Sequence, residues 1–445
     1  MLKSLLRQSF EKFKDNYILS DITYSEFWDL ANKIKNNLPD EKFIAVVGDK
    51  SFELYASIIG VVLSEKTFIP ISLSFNEDRV KEILKFTDTV IVTPEAKEFI
   101  EKLDIKANFI FTDDLKNKKT DFKVKSDYVY MMFTSGSTGK PKAIPISQKN
   151  LLSYLNFVID KFKINSNDIV SQTFDISFDL SMHDIFTTVL TGAKLIPIPK
   201  AQIFMPNSII KKEKITIWFS VPSVLTYMDK LKLLNDRFDS IRLSLFCGEP
   251  LAAYLAKKWQ KCVSGEIYNL YGPTEATIAI SYFKFKDVDT KIVPIGEIFP
   301  SQNYIIKDNE LYLSGTQIFN GYLNTDYSPF EIIDNKKFYK TGDLVRKTKY
   351  GLEYVGRKDN QIKLNGYRIE LEEIEAVARE KGANSVAVFD EKRNEIVLFS
   401  EKEIDLSKYL PSYMVPKRVV LVDKLPLNTN MKFDRKKLKE SLWKN

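Results

Sequence analysis

The chain has 445 residues, of which 44% are hydrophobic and 28% charged, and its 66 Lys and Arg against 59 Asp and Glu give a net charge of +7. It contains one histidine, His183, and two cysteines, Cys247 and Cys262. That scarcity excludes zinc cages of four cysteines, of two cysteines and two histidines, or of three histidines, and any Ser–His–Asp or Cys–His catalysis would have to run through His183. Two cysteines in a chain of this length suit a reducing, cytoplasmic setting and not a disulfide framework. The basic residues are scattered and form no stripe, so the mild positive balance suits a nucleotide or an acidic protein partner and not nucleic acid.

In chain order, residues 1–17 place Leu2, Leu5, Leu6 and Phe10 on one helical face with Lys and Arg between them. This predicts a helix packed on the domain; it is neither a signal peptide nor a stable membrane insertion, and no apolar run approaches the roughly 20 residues a span requires. Strands are then predicted at 44–47, 67–71, 90–93, 108–112 and 129–133, with helices at 52–64 and 76–86. The middle repeats the alternation, with strands at 215–219, 243–247 and 266–270 and helices at 223–234 and 252–262. Such alternation predicts α/β architecture with parallel, helix-covered sheets. From 280 to 355 the strands are shorter and broken by turn residues, which predicts a distorted antiparallel sheet or barrel. After Gly356-Arg357-Lys358-Asp359 a compact α+β tail follows, with a helical stripe at Leu371, Ile374, Val377 and Ala378. The expected division is 1–358 for a large N-terminal domain and 359–445 for a small C-terminal one.

Five segments carry chemistry. Thr134-Ser135-Gly136-Ser137-Thr138-Gly139-Lys140-Pro141-Lys142 follows an apolar strand and combines glycines, hydroxyls and lysines. Backbone N–H groups in such a loop can surround a polyphosphate, although its glycine spacing is not that of a Walker loop; alone it could equally be a flexible turn. Tyr271-Gly272-Pro273-Thr274-Glu275 is a turn that presents an aromatic ring, a hydroxyl and a carboxylate together. The ring can stack on a base and the carboxylate can hold Mg²⁺. Asp343, in YKTGD, could accept from ribose hydroxyls, and Arg357 could add a charged donor, or both could be surface ion-pair residues. Lys432 sits in a C-terminal loop among turn formers, in a setting equally natural for a solvated segment.

Taken in order, TSGSTGKPK, FDISFDLSMHDIF, YGPTE, ELYLSG…GYL, YKTGD, GRKDNQIKLNGYRIE and PLNTNMKFDR resemble the adenylate-forming (AMP-binding) superfamily. Within it the chain is most similar to D-alanine–carrier protein ligases and freestanding amino-acid adenylating enzymes. The resemblance implies ATP-dependent adenylation of a small amino acid with release of pyrophosphate, then transfer to the phosphopantetheine thiol of a separate carrier protein. The rival readings are a carboxylate–CoA ligase and a catalytically silent nucleotide-binding regulator.

It also implies roles for individual residues. Thr134, Ser135, Gly136, Ser137, Thr138, Gly139 and Lys140 would hold the ATP phosphates, and Thr274 a phosphate oxygen. Tyr271, Gly248, Glu249 and Asn269 would surround the adenine, Asp343 and Arg357 the ribose. Glu275 would ligate Mg²⁺, and Lys432 would be the catalytic lysine between the attacking carboxylate and the α-phosphate. Asp359 would be a hinge, and Lys363 and Gly366 part of a loop that guides the incoming thiol. Asp179 would pair with the substrate ammonium, with a helix N-cap as the bland alternative. Leu180, His183, Phe219, Cys247, Leu270 and Ile278 would line the side-chain pocket, His183 standing where the D-alanine enzymes carry an apolar residue.

Overall fold

The computed structural model describes residues 1–134, 141–427 and 433–443. The opening helix, Leu2–Lys12, buries Leu2, Leu6 and Phe10, and Phe10 packs against Tyr24, Phe27 and Trp28 of the next helix. It is a packed structural element, and no helix among the described residues is long and apolar enough to cross a membrane.

The alternating first third folds into a six-stranded sheet. Its order is Asn108–Phe111, Thr89–Val92, Phe43–Val47, Thr67–Ile71, Tyr128–Thr134 and Lys142–Ser147, parallel except for the last pair. Its strands are largely runs of buried β-branched and aromatic residues, as expected when helices cover both faces. A second, seven-stranded sheet runs Lys194–Pro197, Ile169–Gln172, Ile217–Ser220, Leu243–Phe246, Glu266–Tyr271, Ser281–Lys284 and Glu297–Ile298. Its first five strands are parallel and the last two antiparallel.

The third sheet is antiparallel and five-stranded. Its long central strand, Lys336–Thr348, pairs with Glu310–Gly315, Phe330–Ile333 and Gly351–Arg357. After Asp359 come the hairpin Gln361–Leu364/Tyr367–Glu370, the helix Leu371–Glu380 and a three-stranded sheet. The mixture of α/β and α+β layers expected from the sequence is the observed architecture.

Two predicted helices are shorter than expected. The helix anticipated over 76–86 spans Glu77–Ile83, with the Asn76 side chain accepting from the Arg79 amide as its cap. The one anticipated over 223–234 spans Pro222–Lys230, because Lys232 turns left-handed with φ +58° and stops it. A third helix, Leu180–Thr191, has no amphipathic signature because all but one of its residues are buried. A helix sunk all round in the core has no polar face to set a period.

Lys50 joins the first two sheets. It follows the strand Phe43–Val47, and its ammonium donates to the carbonyls of Gln172 (3.2 Å), Thr173 (2.7 Å) and Ile198 (2.9 Å) at the strand ends of the second sheet. Burial pulls its pKa down to about 8, against the opposing charges of Asp175, Asp49 and Asp184. Lys50→Met leaves three carbonyls without their donor, so urea unfolding should show a loss of about 3 kcal/mol.

Candidate active site

Parallel strands gather ligands beyond their C-terminal ends, and Thr134, Cys247 and Tyr271 stand at such ends. Thr134 ends a strand of the first sheet, and its hydroxyl is buried without a hydrogen-bond partner among the described residues. The following Ser135–Lys140 lie outside the described residues. Asn324 fixes the chain at Pro141–Ala143: it donates to the Pro141 carbonyl (2.6 Å) and accepts from the Ala143 amide (2.9 Å). The Lys142 ammonium lies over the rings of Tyr322 (5.5 Å) and Tyr327 (5.2 Å).

A cavity of about 50 Å³ lies beyond the ends of the second sheet, walled by Phe178, Asp179, Leu180, Cys247, Thr274, Ile278, Asp343, Arg357, Lys363 and Gly366, among others. Asp179 stands just before the helix Leu180–Thr191, yet its side chain makes no capping bond to that helix. Instead its Oδ2 accepts the Ile278 amide at 3.0 Å. Burial, with the Glu275 charge behind it, drives the Asp179 carboxyl up to about 6, opposed by the Ile278 and Leu180 amides and the Thr274 hydroxyl. A buried carboxylate held by neutral donors alone is poised for a cation.

Backbone strain gathers beside it. Thr277 and Ile278 both adopt positive φ, +59° and +70°, and a β-branched residue there carries strain of the order of 1–3 kcal/mol. Gly272 makes the tight approach of this segment feasible, since a Cβ there would stand 2.6 Å from the Ala279 Cα.

Cys247 is a buried thiol whose pKa is pushed up to about 12 by burial, so it acts as a small wall residue and not a nucleophile. Leu270 does not reach this cavity. It lines a neighbouring crevice with Gly248, Glu249, Asn269 and Tyr271, the residues expected around adenine. His183 and Phe219 are fully buried and not on the cavity wall. The imidazole Nδ1 is hydrogen-bonded with the Tyr154 hydroxyl at 2.8 Å, and its ring meets Phe219 edge-on with centroids 4.9 Å apart. Burial pulls the His183 pKa down to about 3, so the ring is neutral near pH 7.

The third sheet supplies Asp343 and Arg357. Asp343 Oδ2 accepts the Tyr271 hydroxyl at 2.5 Å, and Oδ1 pairs with the Arg357 guanidinium at 2.9 Å. Arg357 also donates to both oxygens of Asp359, at 2.8 and 2.5 Å, beside the proposed hinge. Asn269 donates to the carbonyls of Val293 (3.2 Å) and Pro294 (2.9 Å), which fixes the crevice wall.

The hairpin after Asp359 closes the site. Glu249 uses one oxygen to accept the Ser223 amide (2.9 Å) and the other to accept the Gly366 amide (2.8 Å). Glu275 is fully buried; its Oε1 accepts the Tyr322 hydroxyl at 2.9 Å and its Oε2 pairs with Arg368 at 2.7 Å. Burial alone would raise the Glu275 carboxyl, but the Arg368 charge, a backbone amide and the Tyr322 hydroxyl together hold it below the usual carboxylate range. Sequence reasoning assigns no role to Tyr322 or Asn324, and places Arg368 only in the loop that guides the incoming thiol, not on Glu275. Their signals are the GYLNT and GYRIE segments, whose chemistry becomes visible only when the fold brings them to Glu275 and the loop ends. Lys432 lies outside the described residues.

Residues 6–323 match the AMP-binding enzyme family model. The chain is 32% identical over 459 residues to the D-alanine–D-alanyl carrier protein ligase of Staphylococcus aureus strain MRSA252, covering 94% of each chain. It is 30% identical to a stretch of bacitracin synthase 1 of Bacillus licheniformis, covering 94% of this chain and only 9% of that much longer protein. The fold superposes on the crystal structure of the Vibrio cholerae adenylation domain AlmE, in complex with glycyl-adenosine-5'-phosphate, with a TM-score of 0.88 and 28% identity, over 100% of this chain and 98% of that one.

The chain therefore belongs to the AMP-binding enzyme family. It is an ATP-dependent, AMP-forming ligase of the amino-acid-adenylating kind.

Proposed function

We propose that this ligase activates glycine or alanine and passes it to the phosphopantetheine thiol of a separate carrier protein. The observation that carries the reading is the buried Asp179 carboxylate on the wall of a cavity of only about 50 Å³. An α-ammonium supplies the missing counter-charge, and the closely packed Leu180, Cys247 and Ile278 leave room for little more than a methyl group. The relatives support the size: one is named for D-alanine, and another is seen with a glycyl adenylate.

The substrate carboxylate attacks the α-phosphorus of ATP, the bond to the β-phosphate oxygen breaks, and pyrophosphate leaves. Two anions must meet in this step, so positioned positive charge is the main requirement. Lys432 supplies it at the carboxylate and α-phosphate, and the Thr134–Lys140 loop holds the leaving phosphates. Tyr271 and Asn269 hold the adenine, while Asp343 and Arg357 hold the ribose. Glu275, a buried and ionised carboxylate, fits Mg²⁺, which takes one or two carboxylates and completes its shell with phosphates and water. Mg²⁺, when bound, screens the β- and γ-phosphate charge.

Residues 1–358 and 359–445 then act as two bodies about Asp359, the second bringing Lys432 for adenylation and Lys363–Arg368 for thiol transfer. A second cavity, of about 270 Å³, is bounded by Phe174, Phe178, Val221, Val224, Gly366 and Tyr367, and shares Phe178 and Gly366 with the first. It suits a flexible pantetheine arm. The need for ATP and the two free cysteines support a cytoplasmic setting for the reaction.

Amino-acid-dependent ATP–pyrophosphate exchange over a panel of D- and L-amino acids tests the reading. Exchange should be strongest with glycine or one alanine enantiomer, and exchange driven by plain carboxylic acids alone would overturn it. Lys432→Ala should reduce exchange at least a thousandfold while ATP still binds in equilibrium titration; near-normal exchange would remove Lys432 from the mechanism.

A further inference from the structure

We propose that Tyr154 is a positioning residue for amino-acid binding: its hydroxyl restrains the His183 ring and so keeps Asp179 open to the substrate ammonium. The inference rests on the Asp179 reading above and adds the group that keeps this carboxylate unoccupied. Asp179 already has helical backbone angles just before the helix Leu180–Thr191. His183 follows it by four positions, the spacing at which two side chains share a helix face and can pair. A buried carboxylate held by neutral donors and an imidazole one turn away are natural partners. In this fold the ring is engaged elsewhere.

One polar contact holds it. Tyr154 is fully buried in the helix Gln148–Phe162, and its hydroxyl is hydrogen-bonded with His183 Nδ1 at 2.8 Å. Among the described residues, Nε2 has no hydrogen-bond partner. Phe219 meets the ring edge-on and offers it no hydrogen bond. Asp184, the next residue, is no rival for the ring, because adjacent positions on a helix do not face each other. Burial also raises the Asp184 carboxyl well above the usual carboxylate range, so it carries no charge to attract an imidazole. Without the Tyr154 hydroxyl both ring nitrogens are buried and unpaired, a costly state that a bond to Asp179 relieves. The ring then occupies the carboxylate as an internal competitor. Such a competitor lowers the fraction of enzyme able to bind amino acid, so KM rises while kcat at saturation is kept.

Tyr154→Phe removes the hydroxyl and keeps the aromatic ring against His183 and Phe299. In ATP–pyrophosphate exchange the variant should show a KM for glycine or alanine raised about tenfold, with kcat within about twofold. ATP affinity should also stay within about twofold, which establishes that the variant is folded. Tyr154→Phe combined with His183→Leu leaves no ring to compete and should return KM to within about threefold of the natural value. The single histidine gives a spectroscopic reading free of overlap. In chain isotopically labelled at histidine, the natural ring is neutral near pH 7. The Tyr154→Phe signal should move towards the imidazolium position at the same pH, since the Asp179 charge favours the protonated ring.

An unchanged KM in Tyr154→Phe overturns the restraint. So does a raised KM that His183→Leu does not repair, or one that arises without movement of the histidine signal, since Tyr154 is then a packing residue only. If the natural chain showed no amino-acid-dependent exchange, the reading of Asp179 itself would fall. Exchange by the natural chain with an unaltered Tyr154→Phe variant overturns the restraint alone.

Discussion

Asp179→Asn should raise the KM for the amino acid at least a hundredfold, leave ATP affinity within about twofold, and make the empty enzyme more stable. Asparagine keeps an oxygen for the Ile278 amide, so the strained turn at Thr277 and Ile278 retains its hydrogen bond and the substitution isolates the charge. Loss of a buried ion pair's partner is worth about 3–5 kcal/mol, which sets the expected loss of affinity. The stability gain has the opposite sign and a defined pH window. Burial raises the Asp179 pKa from 3.8 to about 6 in the folded chain. Above pH 6 the folded state therefore carries a charge that the unfolded chain holds more easily, a penalty of about 3 kcal/mol. As pH falls from 6 towards 4, the folded carboxyl takes up its proton first and the penalty disappears.

Denaturation curves of the natural chain and the Asp179→Asn variant should therefore converge near pH 4 and separate by about 3 kcal/mol at pH 7. Amino-acid kcat/KM of the natural enzyme should fall about tenfold per unit below pH 6. A variant less stable than the natural chain at pH 7, with ATP and amino-acid affinities falling together, would make Asp179 a structural residue.

The parallel sheets were legible because their strands are contiguous apolar runs separated by amphipathic helices and turn residues. Thr67–Ile71 was predicted to the residue, and the strands ending at Thr134 and Tyr271 to within one or two. Chemistry concentrated in short glycine-containing turns was legible too, since few sequences place an aromatic, a hydroxyl and a carboxylate in five positions. What stayed hidden depends on distance in three dimensions. His183 is placed in the side-chain pocket by the resemblance to the family. In the fold its ring meets Tyr154 and Phe219, and it is not among the residues that line the cavity beside Asp179. Leu270 lines the crevice with Asn269 and Tyr271 and is not among the residues around the cavity at Asp179. Arg368 is an ordinary strand residue until the hairpin delivers it to Glu275, 93 positions earlier in the chain. Pairings of that separation leave no local trace in composition or period.

Gly366→Ala should separate the two half-reactions, leaving ATP–pyrophosphate exchange near normal and slowing carrier loading at least a hundredfold. Asn365 and Gly366 form the two-residue hairpin turn with φ of +52° and +84°, a geometry that suits Asn-Gly and strains alanine. A methyl group adds a second obstacle, since a Cβ at 366 would stand 2.8 Å from Val221 Cγ1. The amide that donates to Glu249 sits on the same residue, so a hairpin lifted by that clash also loses its latch. None of these contacts is needed while Lys432 is delivering its charge in the proposed adenylation arrangement. Adenylate formation should proceed, and transfer should stall for want of a seated loop.

The clash also predicts its own repair. Val221→Ala removes the opposing methyl groups and should restore carrier loading in the Gly366→Ala background by about tenfold, short of full recovery because the backbone strain remains. Single-turnover loading of a carrier from preformed adenylate, set beside pyrophosphate exchange for all four chains, measures both effects. If exchange and loading decline in parallel, or if Val221→Ala rescues nothing, the hairpin seat seen here is not the arrangement in which the thiol is acylated.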